Sequence, residues 1–257
     1  MIAPPALPQI AQFQAPAAWS VVDFISDLHL QASEPDTFGA WQRYMTQTPA
    51  DAVFILGDLF EVWVGDDAAR EPGFAADCAA VLQAAAARRP VFFMHGNRDF
   101  LVGEAFLKGC GVTLLTDPTV LGFAGQRWLL THGDALCLAD TDYMKFREQV
   151  RSGAWQREFL AKPLAQRQAI ARDLRAQSES RKRAAIEYED VDGPCASAWL
   201  TAADAQVLIH GHTHKPADHQ LGAQRRIVLS DWDATAKPPR LEVLRLLPGA
   251  LERIALA

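Results

Sequence analysis

The sequence predicts a layered α/β fold, and three observations carry that prediction. Short apolar runs recur along the chain, helical stretches lie between the early runs, and most runs end in a cluster of Gly, Asp, Asn or His. Continuous apolar runs of this length suit strands buried on both faces. Their alternation with helices suits sheets packed in layers.

Taken in order, the first run is Val21 to Ile25, which ends at Ser26-Asp27-Leu28-His29. The second, Ala52 to Leu56, ends at Gly57-Asp58, and the third, Val91 to Met94, at His95-Gly96-Asn97-Arg98-Asp99. Trp128 to Leu130 leads into Thr131-His132-Gly133-Asp134, and Val207 to Ile209 into His210-Gly211-His212-Thr213-His214. Helices are expected over Phe38–Thr46 and over the Ala-rich Phe74–Arg88, which Pro90 stops. Arg226–Leu229 and Leu241–Leu247 read as two closing strands. Residues 1–20, rich in Ala, Pro and Gln, read as a loosely ordered extension without the pattern of a signal peptide. The main domain is expected over 21–257.

The stretch from about 140 to 200 is too long for a simple connection. Tyr143–Val150, Trp155–Leu160 and Leu164–Ile186 read as helices, the last one basic. Because the stretch joins two polar-ended strands, it is expected to rise from their rim as an inserted helical cap. There it can present cations to a diphosphate or to anionic lipid.

Composition narrows the function. With 49% hydrophobic and 22% charged residues, the chain can bury a large core unaided, so a bound metal would serve chemistry rather than folding. The net charge of −6 argues against a nonspecific grip on nucleic acid. Cys78, Cys110, Cys137 and Cys195 form no CxxC pair and read as free thiols of a reducing compartment. No run approaches the roughly 20 apolar residues of a membrane span. A soluble, cytoplasmic protein able to touch a membrane surface is expected.

In α/β folds ligands bind at the carboxyl ends of the strands. Asp27, His29, Asp58, Asn97, His132, His212 and His214 should meet there, as an oxygen and nitrogen donor set suited to Mn²⁺, Fe²⁺, Zn²⁺ or Mg²⁺. In Asp27-x-His29 and His212-x-His214 the period-two alternation of extended backbone turns both side chains to one side. Two dications about 3.5–4 Å apart need a shared anion. Asp58 is the candidate, since Gly57 before it permits close backbone approach. Metal binding brings the pKa of water toward about 7, which supplies a nucleophile at neutral pH.

These blocks, in this order, resemble the signatures of the calcineurin-like metallophosphoesterases. That resemblance implies a layered β-sandwich flanked by helices. It also implies one metal held by Asp27, His29, Asp58 and His214, and a second by Asp58, Asn97, His132 and His212. The sequence departs from the common pattern at Arg98, where most members carry His. Arginine cannot act as a general acid, but it can clamp a phosphate through paired hydrogen bonds.

With that departure, Gly57-Asp58-Leu59-Phe60-Glu61-Val62-Trp63-Val64-Gly65-Asp66-Asp67, His95-Gly96-Asn97-Arg98-Asp99-Phe100-Leu101 and His210-Gly211-His212-Thr213-His214-Lys215-Pro216 resemble the UDP-2,3-diacylglucosamine hydrolases of lipid A synthesis. The resemblance implies attack of water on the α-phosphorus, with release of UMP and 2,3-diacylglucosamine 1-phosphate. It implies two Mn²⁺ ions, catalytic roles for Asp58, Asn97, Arg98 and His132, and substrate contacts from Asn97, Arg98, Asp140, Ser178, Lys182 and His212. A peripheral location on the cytoplasmic face of the inner membrane is also implied. The competing expectations are another metallophosphoesterase, acting on nucleotide phosphodiesters or monoesters, and a noncatalytic scaffold.

Overall fold

The computed structural model describes residues 7–70, 72–184 and 190–256, apart from the side chains of 176–184. Its strands are β1 (Ala11–Gln14), β2 (Val22–Ile25), β3 (Ala52–Leu56), β4 (Val91–Met94), β5 (Thr113–Leu115), β6 (Thr119–Phe123), β7 (Gln126–Leu130), β8 (Val207–His210), β9 (Ala217–Leu221), β10 (Gln224–Val228), β11 (Glu242–Leu247) and β12 (Ala250–Ala255). Its α-helices are α1 (Pro35–Gln47), α2 (Phe74–Ala86), α3 (Glu104–Cys110), α4 (Thr141–Arg151), α5 (Gly153–Leu160), α6 (Leu164–Ala184) and α7 (Gly193–Ala202).

The strands form two six-stranded sheets, ordered β12-β11-β2-β3-β4-β5 and β1-β6-β7-β8-β10-β9. In the first, β2, β3, β4 and β5 run parallel. In the second, β7 runs parallel to β8 and β8 to β10. Side chains alternate across each strand, so the two faces of each sheet build different cores. Ala52, Phe54 and Leu56 point inward with Phe24, Phe92 and Met94, and meet Leu121, Phe123, Leu130 and Ile209 of the facing sheet. Phe54 stacks on Phe92 at 4.5 Å between ring centroids. Val53, Ile55 and Phe93 point the other way, onto Trp41, Met45, Leu82 and Phe106 of α1, α2 and α3. On the outer face of the second sheet, Val120, Leu129 and Leu208 pack on Ala196, Trp199 and Leu200 of α7. The result is a β-sandwich covered by helices on both outer faces.

Two expectations need correction. The segment taken as loosely ordered contains β1, which pairs parallel to β6. It is held by Phe13, which packs against Trp19, Phe54 and Phe92; one aromatic anchor outweighs the weak local composition. The helical stretch between β7 and β8 also divides. Helices α4 and α6 contact the loops at the strand ends, whereas α7, capped by the Asp192 side chain on the Cys195 N–H, belongs to the outer layer of the sandwich.

All four cysteines are buried and unpaired; burial pushes Cys78 and Cys137 up to about 12. No helix among the described residues is long and apolar enough to cross a membrane.

Candidate metal centre

The carboxyl ends of β2, β3 and β4 from one sheet meet those of β7 and β8 from the other, so both halves of the sandwich supply donors to one rim. The loops after β2 and β3 zip together in parallel: the N–H groups of Asp27, His29 and Leu30 donate to the carbonyls of Gly57, Asp58 and Leu59 at 3.1, 3.0 and 2.9 Å. Across the sandwich, the Gly211 N–H donates to His132 O at 3.0 Å, and the His212 N–H to Asp27 Oδ2 at 2.9 Å. A Cβ at Gly96 would overlap Asp58 Oδ1, and one at Gly211 would overlap Ser26 Oγ and Asp27 Oδ2. Both glycines are therefore required by close approach of the loops.

The backbone is strained at the same place. Asp27, His29, Asp58, His212 and His214 all have positive φ, between 48° and 68°, not the extended backbone expected of Asp27-x-His29 and His212-x-His214. Among the described non-glycine residues only Ala124 and Asp204 share that conformation. Each such residue costs on the order of 1 kcal/mol or more, and such strain persists where the surrounding contacts over-determine it.

The seven predicted donors come together as two groups that share Asp58. On one side, His214 Nε2 lies 3.3 Å from Asp27 Oδ1 and 3.1 Å from His29 Nε2. His29 Nε2 is 4.0 Å from Asp58 Oδ2. On the other side, His132 Nε2 lies 3.8 Å from Asp58 Oδ1 and 3.0 Å from Asn97 Oδ1. His212 Nδ1 is 2.8 Å from the same Asn97 oxygen. The two oxygens of Asp58 thus face different groups.

Three features of this arrangement fit a divalent cation. Among the described residues, Asp27 Oδ1 is buried without a hydrogen-bond partner. Asp27, His29 and His214, and likewise Asp27, Asp58 and His132, offer ligand atoms within 4.8 Å of one another. The donors are oxygen and nitrogen, which suits hard or borderline ions.

The electrostatics agree. Burial alone would raise Asp27, but the contact with His214 and the charges of His214, His132 and His29 hold its carboxyl well below the usual range. Burial alone would lower His132, yet Asp58, Asp27 and Asp134 push it up to about 9. A fully buried imidazole that prefers to be cationic reports a strongly electronegative pocket. His212, by contrast, is pushed down to about 3 by burial and by the charge of His132.

Around the donors stand residues that hold them. Asp99 accepts the backbone N–H groups of Gly96, Asp58, Leu59 and Phe60. Asp134 is fully buried and accepts from Tyr143 Oη at 2.7 Å and Arg147 Nε at 2.8 Å. Tyr143 also stacks on His212, and Arg151 donates to Gly96 O at 2.9 Å. Helix α4 is thereby fastened to both histidine-bearing loops.

His95 bonds Val102 O through Nε2, and His210 lies against Gly211 O through Nδ1; both serve the loops rather than the cluster. Asp66 accepts from the Gly103 and Phe106 N–H groups and from Trp63 Nε1, while Trp63 packs on Phe60 and Phe106. Asp67 binds the buried Arg167 of α6.

Arg98 reaches the rim with its side chain 15% exposed, 3.5 Å from Glu61. Asp140 caps α4, accepting the Tyr143 N–H at 2.9 Å. The side chains of Ser178 and Lys182 lie outside the described residues. Sequence reasoning missed Glu61. Its Oε2 lies 2.7 Å from His29 Nδ1, and His29 and the charges of Arg98 and Arg175 overcome its burial to hold its carboxyl low. The only local signal was its place three residues after Asp58.

Residues 20–216 match the family described as calcineurin-like phosphoesterase. A UDP-2,3-diacylglucosamine hydrolase of Ralstonia nicotianae is 44% identical over 242 residues, covering 90% of this chain and 90% of that protein. One from Chromobacterium violaceum is 46% identical over 220 residues, covering 82% of this chain and 90% of that protein. Among solved structures, an archaeal phosphodiesterase aligns over 92% of this chain and 99% of its own, with a TM-score of 0.48 and 13% identity. By the family match and the two relatives in Ralstonia and Chromobacterium, the chain belongs to the calcineurin-like phosphoesterases and, within them, to the family of UDP-2,3-diacylglucosamine hydrolases.

Proposed function

We propose that this chain hydrolyses the diphosphate of UDP-2,3-diacylglucosamine to UMP and 2,3-diacylglucosamine 1-phosphate, with water attacking the α-phosphorus. The observation that supports this most is the division of Asp58, whose Oδ2 faces the Asp27, His29 and His214 group and whose Oδ1 faces the Asn97, His132 and His212 group. Asp27, His29, Asp58 and His214 would hold one divalent ion, and Asp58, Asn97, His132 and His212 another, with Mn²⁺ as the assigned metal. Such a pair supplies Lewis acidity toward water and the phosphoryl oxygens.

The remaining work falls to the protein. Arg98 stands over the rim and clamps the diphosphate through its fork of N–H donors, while its own backbone N–H fixes Asp58 Oδ1 at 2.8 Å. Asn97 and His212 face the same space and orient the phosphoryl group. Helices α4 to α6 cover the rim, with Asp140, Ser178 and Lys182 assigned to the substrate. Val62 and Leu160, two exposed large apolar side chains, together with the basic stretch of α6, suit a lipid held at an anionic membrane surface.

The test is release of UMP from UDP-2,3-diacylglucosamine in the presence of Mn²⁺, measured beside hydrolysis of a simple aryl phosphodiester. Rapid release of UMP is expected. Turnover of the aryl ester alone would assign the chain to a different phosphoester substrate.

A further inference from the structure

Glu61 lies outside both donor groups, yet it touches one of them and the arginines above it. It is 7% exposed, and its two oxygens are divided. Oε2 sits 2.7 Å from His29 Nδ1, and among the described residues Nδ1 has no other partner. Oε1 sits 2.5 Å from the Arg175 guanidinium and 3.5 Å from that of Arg98. Arg98 follows β4 and Arg175 lies on α6, so one carboxylate connects the loop after β3, the loop after β4 and the helical cover. The same loop is tied to α6 a second time through Asp67 and Arg167.

We propose that Glu61 is a positioning residue that joins the metal centre to the arginines above it: one oxygen holds the Nδ1 side of His29, and the other holds Arg98 and Arg175. Chemistry gives each contact a consequence. A carboxylate at Nδ1 selects the tautomer with its proton there, which leaves Nε2 unprotonated and turned toward Asp27, Asp58 and His214. A carboxylate between two guanidinium groups cancels their mutual repulsion and fixes their planes. The proposal rests on the reading of His29 as a metal ligand and Arg98 as the phosphate clamp.

Two substitutions separate the two contacts. In Glu61→Gln the amide oxygen can still accept from His29 Nδ1, but the charge facing the arginines is gone. In Glu61→Ala both contacts are lost. Mn²⁺ affinity of the metal-free protein is measured by competition with a chelator, and binding of inorganic phosphate to the Mn²⁺-loaded protein by calorimetry. Circular dichroism establishes that both variants are folded.

For Glu61→Gln, Mn²⁺ affinity within about threefold of wild type and phosphate affinity lower by roughly tenfold are expected, as for loss of one charge-assisted interaction. For Glu61→Ala, Mn²⁺ affinity should fall roughly 10- to 100-fold, as for loss of a group that orients a ligand. Wild-type Mn²⁺ affinity in folded Glu61→Ala, or unchanged phosphate affinity in Glu61→Gln, overturns the proposal. Failure of the wild-type protein itself to bind Mn²⁺ would instead overturn the metal assignment on which it rests.

Discussion

Asp99 Oδ2 accepts the Leu59 N–H at 2.8 Å, so a side chain from the loop after β4 fixes the backbone of the loop after β3. The same carboxylate takes three further N–H groups, those of Gly96, Asp58 and Phe60, and it is fully buried. Asp99→Ala leaves these donors unpaired. It should destabilise the metal-free protein by about 3 kcal/mol and weaken Mn²⁺ binding, because Asp58 loses its backbone register. Urea unfolding and metal titration measure the two effects, and Asp99→Asn, which keeps one acceptor oxygen, should fall between Ala and wild type.

The glycines divide into those the site requires and those a turn requires. At Gly211 a Cβ would overlap Ser26 Oγ and Asp27 Oδ2, whereas at Gly222 it would meet nothing within 4 Å among the described residues, although φ there is +62°. Gly211→Ala should therefore abolish Mn²⁺ binding and turnover. Gly222→Ala should cost only the left-handed backbone strain, roughly 1–2 kcal/mol, with turnover unchanged.

Acid sensitivity should be traceable to Asp190. Its hydrogen bonds to Arg226, at 2.6 and 2.9 Å, hold its carboxyl well below the usual range. A carboxyl with a depressed folded-state pKa adds stability above its unfolded value, near 4. That contribution disappears as pH falls through the folded value. Asp190→Asn also leaves buried Arg226 without its counter-charge; because the Asp190 side chain is 39% exposed and screened by solvent, the variant should be less stable than wild type at pH 7 by about 1 kcal/mol. The gap should narrow steadily as the pH is lowered below about 4. Unfolding curves for both proteins across that range provide the check; a gap independent of pH would contradict the assignment.

Strand β2, which leads into Asp27 and His29, is anchored by an ion pair on its own second residue. Buried Asp23 meets Arg245 of β11 through two hydrogen bonds, at 2.8 and 2.9 Å. It also accepts from Tyr44 and Thr48 at 3.0 and 2.6 Å. Arg245→Ala leaves that carboxylate buried without its counter-charge, and a loss of about 3 kcal/mol is expected in equilibrium unfolding.

The strands that carry the candidate ligands were legible in the sequence because they are buried on both faces and so lack polar alternation, as Ala52 to Leu56 does. Edge and half-exposed strands were not. In β1, β9 and β12 the intermediate and exposed positions alternate with few large apolar residues, a pattern that loops share. The convergence of the seven candidate donors was legible because each follows a strand in a short motif. Glu61 and Asp134 were not assigned their contacts, since their partners lie on α6 and α4, far along the chain. No periodicity within a segment reports which distant helix will lie above a loop. The departure at Arg98 was readable as a change of chemistry, but its neighbour Glu61 became visible only in three dimensions.

On the proposed reading, Asp58 stands between two cation sites. Crystals of the protein grown with Mn²⁺ and measured at the manganese absorption edge test it most directly. Two anomalous peaks are expected, one on each side of Asp58: the first among Asp27, His29 and His214, the second among Asn97, His132 and His212. A map with no peak there, or with a single peak remote from Asp58, would contradict it.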